Sequence, residues 1–166
     1  MAIDEAGAMW ACETFQHQAD GICQSRAVSA DTVMSFTLSF TPTSADIDEL
    51  GHVNNAVWVR WIQEVATAHW NAAATPAHVA AYIWVVVRHE IDYFGNVGAG
   101  ETVTARTCVT DPPRGARFDR NVEFARAGGK VVVRAKSTWA IVERASGRVL
   151  RVPKDVADIF LGDNAT

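Results

Sequence analysis

The sequence predicts an α+β fold, with one long central helix wrapped by a curved antiparallel sheet of about five to six strands. Three observations carry this. A stretch from Ala56 to about Trp70 repeats apolar residues at three- and four-residue steps, the period of a helix with a buried face. A segment before it and four or more after it are rich in Val, Ile, Thr, Phe and Trp and alternate with polar residues, the period of a strand. Gly and Pro clusters separate those segments, and neither a repeat nor a linker divides the chain.

Residues 1–33 have weak periodicity and scattered small and polar residues, so they are expected to form a loosely docked or partly disordered extension ahead of a domain over residues 34–166. Ser35 to Pro42 alternates, placing Phe36, Leu38 and Phe40 on one face of a first strand that Pro42 ends. The helix follows, with Val57, Trp58, Trp61, Ile62, Val65 and His69 inward and a narrow polar remainder of Arg60, Gln63 and Thr67. Its end is expected within Asn71 to Pro76, and everything later is expected to be sheet until the last residues. Tyr82 to Tyr93 is the next strand, and Glu101 to Thr110 follows with Val103, Ala105, Thr107 and Val109 on one face. Phe118, Val122 and Phe124 mark a fourth strand, Gly128-Gly129 a tight hairpin, and Val131 to Ile141 a fifth strand whose opposite face carries Arg134 and Lys136. A short tail strand after Ser146-Gly147 and a brief helix from Pro153 complete the prediction. Exposed sheet edges need covering, and pairing with a second copy is the first expectation: a homodimer, or dimers joined into a tetramer.

The chain has 166 residues, 49% of them hydrophobic, and a formal net charge of -4. That suits one domain with a sizeable core. Without a basic run, neither nucleic acid nor an anionic membrane surface is expected as a partner. The longest apolar run, Val79 to Val87, is too short for a bilayer span. The first thirty residues carry Asp4, Glu5, Glu13 and Asp20 and no basic start, so no secretory signal is read. Cys12, Cys23 and Cys108 form neither a CxxC pair nor an even framework, which fits a reducing compartment, and a cytoplasmic location is expected.

The chemistry-bearing stretch is Asp46-Ile47-Asp48-Glu49-Leu50-Gly51-His52-Val53-Asn54-Asn55, directly before the helix. Helix starts gather Asp and Asn because their side chains accept from unpaired backbone N–H groups, and those N–H groups also favour an anion. From the residues alone the loop is a cap, an active site, or both. No Gly-x-Ser-x-Gly elbow, P-loop or dinucleotide fingerprint is present, and Asp46, Asp48 and His52 lack further ligands at a metal-binding spacing. Neither a cofactor nor a metal is expected.

Asp-x-Asp-x-x-Gly-His-Val-Asn-Asn before a helix, the strand Val-Val-Val-Arg-His-Glu-Ile-Asp-Tyr-Phe, and Gly-x-Gly-Glu-Thr-Val together resemble the hotdog-fold acyl thioesterases of the 4-hydroxybenzoyl-CoA thioesterase group. The loop also resembles that of plant acyl-ACP thioesterases, and the resemblance covers about residues 35–153. It implies a hotdog fold and hydrolysis of an acyl-CoA or acyl-ACP thioester without cofactor or serine nucleophile. Carried over, the loop carboxylate that activates water or attacks the carbonyl falls on Asp48, and Asp46 becomes an organiser of the loop. The resemblance further implies that the backbone N–H of Asn55 polarises the thioester oxygen. His52 matches the plant enzymes' histidine, while their asparagine position holds Leu50 here. Many relatives carry Glu where this chain has Gln63.

Against these stand plainer roles. Asp48 also suits a turn or cap, His52 a hydrogen bond within the loop, and Asn54 and Asn55 a helix start. Trp58, a candidate for lining the acyl pocket, sits at a spacing that more often means core. Arg88, Arg114 and Arg117, with Arg120 and Arg134, are the cations available for substrate phosphates, or else a solvated face. Two rivals remain: a hotdog hydratase or dehydratase, although the His-Phe-Pro type signature of fatty-acid dehydratases is missing, and a non-catalytic acyl-CoA-binding module.

Overall fold

The computed structural model describes residues 34–161; the expected N-terminal extension lies outside them. The elements run β1 (Ser35–Phe40), α1 (Asn55–Ala73), α2 (Pro76–Ala81), β2 (Tyr82–Tyr93), β3 (Val103–Cys108), β4 (Arg117–Arg126), β5 (Val131–Glu143) and α3 (Lys154–Leu161). One antiparallel sheet holds the five strands in the order β1-β3-β4-β5-β2, so β1 and β2 form its edges.

Helix α1 lies on the sheet because its apolar stripe and the inward residues of every strand have no other way to leave water. Toward its N-terminus Trp58, Trp61, Ile62 and Val65 pack with Phe40, Val103, Ala105, Val122, Phe124 and Val133. Toward its C-terminus Trp70 meets Phe118, Ile141 and the inner face of α3, supplied by Val156, Ala157 and Phe160. Gly128 and Gly129 turn the β4–β5 hairpin with φ of 87° and 82°, a left-handed pair that costs other residues a steric penalty.

Two expectations are corrected. The chain after α1 does not go straight into sheet: Pro76–Ala81 forms α2, with Pro76 in the first turn and the Thr75 side chain accepting from the His78 N–H. Thr-Pro is a helix-start signal that the apolar run through Val87 obscured. The tail strand after Gly147 reduces to a single bridge between Val142 and Val149, because β4 occupies that side of β5 as far as Ala140 and leaves only Ile141–Glu143 for the tail. Among the described residues the sheet therefore has five strands, within the expected five to six.

Candidate active site

The loop before α1 is a small closed hairpin. Ile47 and Val53 bridge, the Asp48 N–H donates to the His52 carbonyl at 2.7 Å, and the Gly51 N–H donates to the Asp48 carbonyl at 3.0 Å. Gly51 takes φ 78° at the bend. Within the loop the Asn54 N–H also donates to the Asp46 carbonyl, and from outside the Val97 carbonyl accepts from the Val53 N–H, so the Phe94–Gly100 segment braces the loop.

The two aspartates differ in how their carboxylates are bonded. Asp46 is buried; its Oδ2 accepts from the Thr43 N–H and hydroxyl, and its Oδ1 pairs with Arg60 at 2.5 Å. The Thr43 N–H and the Arg60 guanidinium hold its carboxyl down at about 2. Both of its oxygens are engaged, which ties Asp46 into the loop. Asp48 is half-buried, and its Oδ1 accepts from the Leu50 N–H at 2.9 Å and the His52 N–H at 3.1 Å. Its Oδ2 has no hydrogen-bond donor among the described residues. One oxygen fixes the carboxylate in place while the other stays available for a proton.

Helix α1 starts one residue later. The Asn54 side chain accepts from the Ala56 N–H and the Asn54 carbonyl from the Val57 N–H. The Asn55 N–H, first in the helix, has no acceptor among the described residues. An unpaired donor at a helix N-terminus is suited to developing negative charge on oxygen. His52 is half-buried beside these groups.

The other expected site residues lie elsewhere. Trp58 is 2% exposed and stands edge-on to Trp61 and Phe124, with ring centroids 5.1 Å apart in each case, so its side chain builds the core. Arg88 sits midway along edge strand β2, paired with Glu90 at 2.8 Å. Arg114 and Arg117 flank a surface cleft with Asp111, Asp119 and Thr138 at the turn into β4. β1 ends at the loop side beside Val103, and β3 runs away from it, so that turn lies at the opposite end of the sheet. Arg134 pairs with Glu123 at 2.9 Å. Arg120 is a correction: at 6% exposed it cannot meet a solvent phosphate, because its side chain points inward beside Thr107 and His69. Period-two alternation placed Arg120 with Phe118 and Val122, which was the signal that it faces inward.

The thioesterase-like superfamily model matches residues 42–160, most of the chain and all of the loop. The chain belongs to that superfamily. No curated protein matches this thioesterase-like chain in sequence. Among solved structures, a 1,4-dihydroxy-2-naphthoyl-CoA thioesterase from Synechocystis is similar over 80% of this chain and 100% of its own, at 16% identity and a TM-score of 0.67. A 4-hydroxybenzoyl-CoA thioesterase variant complexed with 4-hydroxybenzoyl-CoA is similar over 76% of this chain and 98% of its own, at 17% identity and a TM-score of 0.68. A hypothetical protein of Staphylococcus aureus in complex with CoA is similar over 81% of this chain and 85% of its own, at 16% identity and a TM-score of 0.66. What these share with the superfamily member described here is the fold, a hotdog helix in an antiparallel sheet. Among its described residues, no helix is long and apolar enough to cross a membrane, and no three His, Cys, Asp or Glu side chains converge as metal ligands.

Proposed function

We propose that this protein hydrolyses an acyl-CoA or acyl-ACP thioester to a free acid and a thiol, with Asp48 and the Asn55 N–H as the working groups. The observation that carries the reading is the pairing of an Asp48 carboxylate fixed through one oxygen with an unpartnered helix-start N–H. Asp48 takes a proton from water as the water oxygen attacks the carbonyl carbon. The carbonyl oxygen gains the electron pair and is held by the Asn55 N–H. Collapse reforms the C=O bond and breaks the C–S bond, and the departing thiolate takes up the proton that Asp48 had accepted, which gives the thiol and restores the carboxylate. His52 positions Asp48 or the water. Superfamily membership supports the reaction class, and the loop supports the roles.

Edge strand β2 supports a homodimer. It is 12 residues long, and Ile83, Val85 and Val87 stand exposed along it. Antiparallel pairing of β2 with its copy would satisfy its free backbone groups. It would also bring the far end of one sheet, with Arg114 and Arg117, toward the other copy's loop, where they could meet the carrier phosphates. The cysteine pattern and Cys108, a free buried thiol, support a reducing cytoplasm.

The test is thiol release from a panel of short, long and aromatic acyl-CoAs, comparing wild type with Asp48→Asn. Release that disappears in the variant is the expected result. Tight CoA-ester binding with no release by wild type overturns the hydrolase reading in favour of a binding module.

A further inference from the structure

Behind the second half of α1 is a cavity of about 60 Å³, walled by Trp70, Trp84, Phe118, Trp139 and Phe160, with Arg120 on its lining. Thr67, exposed on the helix, marks its mouth. Trp70 is fifteen residues beyond Asn55, so the cavity lies about 22 Å along the helix from the Asp48 loop.

Two features of this cavity have no use in a sealed core. Arg120 is almost fully buried, yet no carboxylate among the described residues pairs with it. It donates to His69 Nδ1 at 2.8 Å and to Thr107 Oγ1 at 3.0 Å, and stacks over the Phe160 ring at 4.9 Å. His69 cannot neutralise it: burial, then the Arg120 charge, holds the imidazole down at about 4, so it is a neutral acceptor. A buried guanidinium without an anion is costly, and an apolar side chain of similar volume normally serves stability as well or better. The second feature is a pair of orphan donors. The indole Nε1 atoms of Trp84 and Trp139 are buried without an acceptor, and both residues line the same cavity. Buried N–H donors left unmade are rare and call for a partner.

We propose that this cavity binds a small carboxylate carried on an apolar body, with Arg120 as the charged anchor and the Trp84 and Trp139 indoles as neutral donors. A carboxylate has acceptor directions enough for all three groups and supplies the missing charge. Water would satisfy the indoles and leave the charge unmet. The aromatic walls take the carbon next to the carboxylate, the volume admits a carboxylate with about one further carbon, and the mouth at Thr67 lets a longer body extend outward. The carboxylate belongs to a free organic acid, because a short acyl group held at Asp48 cannot span the about 22 Å of helix to Arg120.

The experiment titrates the ¹⁵N-labelled full chain with butyrate and with butyramide, its neutral counterpart of the same shape. Butyrate is expected to move the Trp84 and Trp139 indole N–H signals downfield, saturably, with butyramide at least about tenfold weaker. Arg120→Met should abolish that preference while keeping or raising the melting temperature. If that variant fails to fold, Trp139→Phe, which keeps the aromatic wall and removes one donor, must weaken butyrate several-fold. No indole response to butyrate, equal response to the two probes, or a preference that survives loss of the anchor or the donor overturns the proposal.

Discussion

Arg60, in the second turn of α1, reaches back to Asp46 Oδ1 at 2.5 Å and ties the helix to the loop that precedes it. The same carboxylate takes the Thr43 N–H and hydroxyl on its other oxygen. The ionised Asp46 thereby joins Thr43, the loop and the helix through one carboxylate.

The folded-state carboxyl of Asp46 is depressed from 3.8 to about 2, chiefly by the Thr43 N–H and then by Arg60. A depressed carboxyl stabilises the folded state fully above its unfolded value and loses that contribution as pH falls through its folded value. Asp46→Asn should lower the melting temperature at neutral pH by about 3–6 °C. That difference should hold down to pH near 4 and shrink toward nothing below 2. Thermal melts of both proteins across pH 1.5–7 check this, and a pH-independent difference contradicts it.

Asp48→Asn retains an oxygen to accept from the Leu50 and His52 N–H groups while removing the base. Turnover should drop by about 100-fold or more with the circular dichroism spectrum and melting temperature nearly unchanged. Asp48→Ala removes the turn's acceptor too and should lose both activity and loop order. Equal turnover in wild type and Asp48→Asn removes Asp48 from the chemistry.

The Asn55 N–H can be deleted without deleting the helix. Proline is well accepted at the first helical position, and Asn54, with φ -62° and ψ 144°, already has the extended backbone that a following proline requires. Asn55→Pro should therefore fold and lose about 100- to 1,000-fold in kcat. Asn55→Ala, which keeps the N–H, should retain most activity. A proline variant as active as the alanine variant rules out this donor.

Trp58 tests pocket against core. With its indole enclosed by Trp61 and Phe124, Trp58→Ala should cost about 3–5 kcal/mol in stability, measured by chemical denaturation. A stable Trp58→Ala protein with altered acyl preference would return Trp58 to the substrate pocket.

Strand β2 tests the assembly. Val85→Glu places a charge on the exposed face of the edge strand and should convert a dimer to a monomer in light scattering and lower thiol release with it. A wild-type protein that is monomeric at micromolar concentration contradicts the edge pairing.

Much of this protein is legible in its sequence because it follows from local pattern. The alternation of Phe36, Leu38 and Phe40, the helical spacing from Val57 to Trp70, the Gly128-Gly129 turn and the acidic loop ahead of the helix are short-range features. Each was placed within a few residues by backbone period and turn chemistry alone. The α2 helix escaped because its apolar residues run on into β2 without a polar break, so only the Thr75-Pro76 start distinguishes it. The different roles expected of Asp46 and Asp48 followed from resemblance, and the hydrogen bonds add a physical difference between them: one carboxylate is bonded through both oxygens, the other through one.

By itself, then, the sequence determined the fold class, the long helix, the five strands and their order along the chain. Only the tertiary structure decided that β2 is an edge, that Arg114 and Arg117 stand at the opposite end of the sheet from Asp48, and that Arg120 shares a cavity with two orphan indoles. Those properties depend on which strands become neighbours across gaps of tens of residues. Burial and charge environment are set by such long-range packing, which no local period encodes.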